Sequence, residues 1–228
     1  MKKTASLVVL LLVALVGFYA WHTPFGGPLT EAEIAAYMAE QEAAGGDAWT
    51  DLEAFEAFLR EDDGRRFVMI NLMEVRDEAE YPDDFAGEPK SGAEADAAYG
   101  GAVIPLLLRR GSYPVLLAER YHTIINSLGE TAAEFDDFAM VRYRSRRDLI
   151  DMLSSDRFRE ASVHKWASLE NTLVAPGRRG IGFQAIGYVP VLLMIAIAIV
   201  VGRGVLGRRK RPLTDDSSED LDGRHSSC

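Results

Sequence analysis

Cysteine is almost absent from this chain of 228 residues: its one copy, Cys228, is the last residue. An internal disulfide framework and a cysteine-built metal cluster are therefore excluded from any folded region. Histidine is nearly as scarce. Of four copies, His22 and His225 fall outside the central region, and His122 and His164 are too far apart in sequence for helical or short-loop ligand spacing. No metal and no cofactor is expected. Positive charge is also short where a nucleic acid would need it: Thr23–Gly180 holds 30 acidic and 17 basic residues, an acidic excess that argues against a nucleic-acid partner. The Gly-x-Ser-x-Gly elbow and a cysteine-histidine nucleophile pattern are missing too. Gly202-Arg-Gly-Val-Leu-Gly207 spells the dinucleotide fingerprint and Gly180-Ile-Gly-Phe-Gln-Ala185 its looser form. Both flank a long apolar run rather than joining a strand to a helix, so neither supports a nucleotide site.

What is present begins with Phe67–Val75, rich in β-formers and preceded by the charged turn Asp62-Asp63-Gly64-Arg65-Arg66. Period two puts Phe67, Met69, Asn71, Met73 and Val75 on one face and Val68, Ile70, Leu72 and Glu74 on the other. Both faces are mostly apolar. One layer of helices covers only one of them, which predicts a second subunit on the other. The face of Met69, Asn71 and Met73 is the expected contact.

Around this strand, Thr30-Glu-Ala-Glu33 and Thr50-Asp-Leu-Glu53 read as capping boxes opening two helices. The second carries the stripe Leu52, Phe55, Phe58 and Leu59, and both are expected to pack on the domain as a helical extension, 23–64. Glu74–Lys90 reads as a long excursion. Ser91 opens a helix reaching about Arg110, with Gly100, Gly101 and Pro105 inside it; a hairpin of Val103–Arg109 with Tyr113–Glu119 is the competing reading. Strands follow at Tyr113–Glu119 and from Phe135 or Phe138 to Arg144, then helices over Arg146–Leu153 and Phe158–Leu169, and a short strand at Asn171–Ala175. The segment Arg120–Glu134 has no clear place in this scheme.

Two apolar runs flank the domain. Ala5–Trp21, after Lys2-Lys3, holds 17 uncharged residues, roughly 25 Å as a helix and near the lower limit for crossing a bilayer. Small residues at a cleavage site are poorly placed, which favours an uncleaved anchor over a removed signal peptide. Ile181–Val201 holds 21, about 30 Å, and the basic cluster Arg203 to Arg211 follows it. The expectation is a two-pass membrane protein with the lipid bilayer as a partner, both termini cytoplasmic and the main domain extracytoplasmic. The expected tail, 202–228, is basic and then acidic, with Pro212–Cys228 polar and disordered.

Strand, helix, strand, strand, helix, strand is the split βαβ order. Within it, Asp62-Asp63-Gly-Arg-Arg-Phe-Val-Met-Ile-Asn71, Tyr99 with Val103-Ile-Pro105 and Arg109-Arg-Gly111, and Val141-Arg-Tyr-Arg-Ser-Arg-Arg147 with Phe158 and His164 resemble the domain-of-unknown-function 1330 family of dimeric α/β-barrel proteins. The resemblance implies an α+β, ferredoxin-like dimeric α/β-barrel domain over 65–177, here flanked by transmembrane helices at 1–22 and 181–201. It also implies a homodimer formed face to face through the sheets, a cavity between sheet and helices, and a cleft-facing His164. It implies no reaction, since relatives include cofactor-free monooxygenases, isomerase-like enzymes and plain ligand binders.

Asn71 and Arg142 are polar residues in apolar strands. If they share a face with Met69 and Tyr99, they form a pocket for a small anionic ligand, with Arg142 as bidentate donor and His164 as candidate catalytic base. The other reading gives Arg142 a structural carboxylate partner and Asn71 a backbone bond. Small-ligand binding or interaction is the leading function, and a cofactor-independent enzyme acting on a small organic acid is the alternative.

Overall fold

β1 (Phe67–Val75) lies inside a four-stranded antiparallel sheet ordered β2-β3-β1-β4, with β2 at Tyr113–Glu119, β3 at Asp137–Tyr143 and β4 at Leu169–Gly177. The computed structural model describes residues 2–46, 49–87, 90–121, 135–178 and 181–209. Most of the Arg120–Glu134 segment, His122 and the tail beyond Arg209 fall outside these residues. β1 pairs Phe67 with Tyr143 and Asn71 with Ala139 on β3, and Asn71 with Val174 on β4. Alternation along this register gives the sheet an inner face of Phe67, Met69, Asn71, Ala139, Val141 and Tyr143 and an outer face of Val68, Ile70, Leu72, Phe138, Met140 and Arg142.

The inner face is covered by α4 (Gly92–Arg109), α5 (Arg146–Leu153) and α6 (Asp156–Ser168). Phe67 and Tyr143 stack at 5.2 Å and 9°. With Val103, Leu106, Leu107, Leu149, Met152 and Ala161 they form the main core, against which Met69, Tyr99 and Phe158 pack. Met69 therefore lies under the helices, and a second subunit would meet the opposite face. The apolar pattern on both sides of β1 hid this, because period two separates two faces without saying which one the chain itself covers.

Ser91 and Glu94 build the capping box of α4, and Ser145 and Ser155 cap α5 and α6. α4 runs unbroken through Pro105, which rules out the hairpin reading of Val103–Arg109. A proline ring crowds the carbonyl four residues back, and here that residue is Gly101, whose Cβ position is open space. α2 (Glu31–Ala43) carries the expected box of Thr30 and Glu33, whereas α3 (Leu52–Arg60) is capped by Asp51. These two helices build a second core with Leu29, Ile34, Leu59 and Ile150. Asp62 ties them to the domain, accepting from the Leu29 amide at 2.8 Å and pairing with Arg146 at 3.3 Å, with both side chains well buried.

The flanking helices are α1 (Lys2–His22) and α7 (Ile181–Arg209). Among the described residues, no helix is long and apolar enough to cross a membrane. This overturns the flanking transmembrane helices, the bilayer as partner, and the two-pass, extracytoplasmic localisation expected from hydropathy. In α1 the apolar run was already at the lower limit of length, and its last turn belongs to the domain. His22 is buried, and the carbonyls of Trp21 and His22 accept from Arg144 and Arg142. α1 also meets α7, through Tyr19 Oη donating to the Gly187 carbonyl at 2.6 Å.

Candidate functional site

α4 and α6 lie side by side, and the crease between them on the side away from the sheet is a groove of about 410 Å³. Ala98, Gly101, Ala102, Pro105 and Arg109 line it from one stripe of α4; Arg157, Glu160, Ala161 and His164 line it from α6. The α4 residues follow helical spacing, so one stripe feeds the groove while Tyr99, Val103 and Leu107 feed the core. Small side chains on that stripe leave the space open.

His164 is fixed by the excursion after β1. Tyr81 Oη and His164 Nδ1 are 2.9 Å apart, and the Tyr81 and Phe85 rings, stacked on each other at 4.0 Å, both stand edge-on to the imidazole. Burial, with the nearby Glu94 carboxylate, raises the Tyr81 phenol pKa and keeps it protonated. A phenol accepting from Nδ1–H would leave Nε2 free as a base, whereas one donating to Nδ1 leaves the imidazole proton on Nε2. In that tautomer His164 is a hydrogen-bond donor toward a ligand and lacks the free nitrogen of a base.

The other expected site residues are divided. Met69 and Tyr99 share the inner face, where burial raises the Tyr99 phenol pKa with a further push from Asp96. Lys165 Nζ sits 5.9 Å from the Tyr99 ring centre, and burial raises the pKa of the Asp96 carboxyl against the opposing pull of Lys165. Asn71 is on this face as well, its amide making only long contacts of 3.4 and 3.5 Å to the carbonyls of Met69 and Ala139.

Arg142 is elsewhere. It pairs with Val68, three residues from Asn71, and an odd step along a strand changes face. On the outer face its guanidinium is buried, donates to the carbonyls of Gly111 and His22, and stands 5.1 Å from the Tyr113 ring centre. Burial lowers its pKa to about 10. The expected pocket of Asn71 with Arg142 is therefore not formed, and Arg142 serves backbone carbonyls rather than a carboxylate. Sequence reading missed Tyr81, Phe85, Arg109 and Arg157, because only the excursion's length and the α4 and α6 stripes pointed toward them. Among the described residues, no group of histidine, cysteine and acidic side chains is arranged to hold a metal.

Fold and groove define an α+β domain with a helix-bounded pocket. No protein-family model matches the chain, and no curated protein matches it. Among solved structures, the chain is similar to RPA0582, a protein of unknown function from Rhodopseudomonas palustris. Identity is 27% with a TM-score of 0.50, covering 57% of this chain and 94% of that one. The methylated RPA0582 protein gives 28% identity and a TM-score of 0.50, over 57% of this chain and 92% of that one.

Proposed function

We propose that the 65–177 domain is a homodimeric module that binds a small organic anion, of the dimeric α/β-barrel type its motifs resemble. The observation that carries the reading is the outer face of the sheet. Ile70, Leu72, Phe138 and Met140 form its centre, and on the flanking strands Leu116 and Leu173 are 46% and 48% exposed. A contiguous apolar sheet face of this kind marks an interaction surface. A second copy in face-to-face contact buries it on both subunits at once.

Binding is favoured over catalysis because the Tyr81–His164 hydrogen bond engages one of the two imidazole nitrogens within the protein. Sedimentation velocity of the full chain tests the assembly, with a dimer expected. Thermal-shift screening with small organic acids tests the ligand.

A further inference from the structure

We infer that the groove between α4 and α6 is a carboxylate site, with Arg109 and Arg157 holding the oxyanion and Glu160 taking a hydroxyl or amino group on the neighbouring carbon. The inference rests on the ligand-binding reading above and names its site and chemical class. Its starting point is the pairing of the arginines. Arg60, Arg65, Arg76, Arg110, Arg144, Arg146, Arg147 and Arg159 each meet a carboxylate. Arg66 meets His22, and Arg120 and Arg142 donate to backbone carbonyls.

Among the described residues from Arg60 to Arg159, this leaves Arg109 and Arg157 without an ion pair or hydrogen bond to protein, and both line the same groove. In a region with 30 acidic and 17 basic residues, two unpaired guanidiniums on facing helices leave a place for an anion supplied from outside. Guanidinium suits a planar carboxylate because its parallel N–H groups match the two oxygens.

The remaining lining decides between anions. Glu160 also faces the groove with no protein partner among the described residues. A carboxylate there repels a multiply charged anion such as phosphate and accepts from a hydroxyl or ammonium group. His164 adds its imidazole to the groove lining. The open space around Gly101 lets a small ligand approach the α4 backbone closely. A volume near 410 Å³ is that of a small-molecule site. Together these groups fit a short α-hydroxy or α-amino acid.

The test is a titration of the full chain with L-lactate, acetate and inorganic phosphate, followed by the arginine Nε–H signals in NMR. L-Lactate is expected to shift the Arg109 and Arg157 signals and to bind about 5-fold tighter than acetate. Arg109→Gln with Arg157→Gln should weaken L-lactate by about 10-fold or more, with melting temperature and sedimentation unchanged because both side chains are exposed. Glu160→Gln should remove the preference over acetate.

Binding of L-lactate that ignores the paired arginine substitutions overturns the groove and leaves the ligand-binding reading standing. Tighter binding of phosphate than of L-lactate overturns the ligand class. Failure of all three probes to bind overturns the site, while the thermal-shift screen judges ligand binding, and sedimentation the dimer, independently.

Discussion

The guanidinium of Arg142 on β3 donates to the backbone carbonyl of His22, 120 residues earlier, at 2.5 Å, and so holds the C-terminal end of α1 on the outer face of the sheet. A helix end leaves carbonyls without intrahelical partners, and a cation there satisfies them and opposes the negative end of the helix dipole. Arg142→Met keeps the stem and removes the donors, leaving the Gly111 and His22 carbonyls unpaired. A loss of about 3 kcal/mol is expected, a fall in melting temperature of roughly 6–12 °C. Calorimetry of the unliganded chain checks it, and a change within about 2 °C, the shift of under about 1 kcal/mol, removes Arg142 from the structural role.

The same contact constrains Gly111. Its φ is +65°, and a Cβ added there would lie 2.0 Å from the Trp21 carbonyl oxygen. Gly111→Ala therefore combines left-handed strain with a clash against α1. Increased proteolysis near Trp21, together with a loss of more than about 2 kcal/mol, is the expected outcome by limited digestion and denaturant titration.

His22 should make stability depend on pH. Burial, then the charges of Arg142 and Arg66, lower its pKa from 6.5 to about 4. Arg66 donates to Nε2 at 3.0 Å, which leaves Nδ1–H to reach the Tyr113 hydroxyl at 3.4 Å. The folded state thus holds a neutral ring, and the unfolded chain takes up the proton first as pH falls. This contribution is complete above about pH 6.5, declines between pH 6.5 and 4, and amounts to about 2–3 kcal/mol. The difference in unfolding free energy between wild type and His22→Gln should shrink over that window. A constant difference assigns the acid sensitivity to carboxylates.

Tyr81→Phe removes the hydroxyl at His164 Nδ1 and keeps the stack on Phe85. Stability should fall by only about 1 kcal/mol. The informative readout is the ring nitrogens in long-range ¹H–¹⁵N spectra. A wild-type proton on Nε2 that gives way to a mixture of tautomers in the variant supports the binding reading. A proton on Nδ1 in wild type would restore His164 as a base.

Much of the frame was legible in the sequence for local reasons. Serine caps at 91 and 145, the alternation of Phe67–Val75 and the run Tyr113–Glu119 each express a rule that acts within a few residues. β1 and β2 have the expected bounds. The site was less legible because its partners are remote. Tyr81 and His164 are 83 positions apart, and the partners of Arg142 are backbone carbonyls, which have no sequence signature. Which face of β1 the helices cover was hidden because Met69 and Ile70 are equally apolar. The flanking helices were read from hydropathy and flanking charge, which do not register that Trp21 and His22 are bound into the domain.

Self-association through the outer face of the sheet is the central claim, and a charge placed on that face tests it most directly. Leu116 and Leu173 lie on β2 and β4, either side of the β3–β1 centre, and are half exposed. Leu116→Glu with Leu173→Glu should leave the isolated subunit folded. In a dimer it would bury unpaired carboxylates at a cost of several kcal/mol, enough to dominate an ordinary subunit contact. Sedimentation velocity should show a dimer for the wild-type chain and a monomer of unchanged far-ultraviolet circular dichroism for the double variant. A wild-type monomer, or a double variant that sediments as a dimer, would contradict the account.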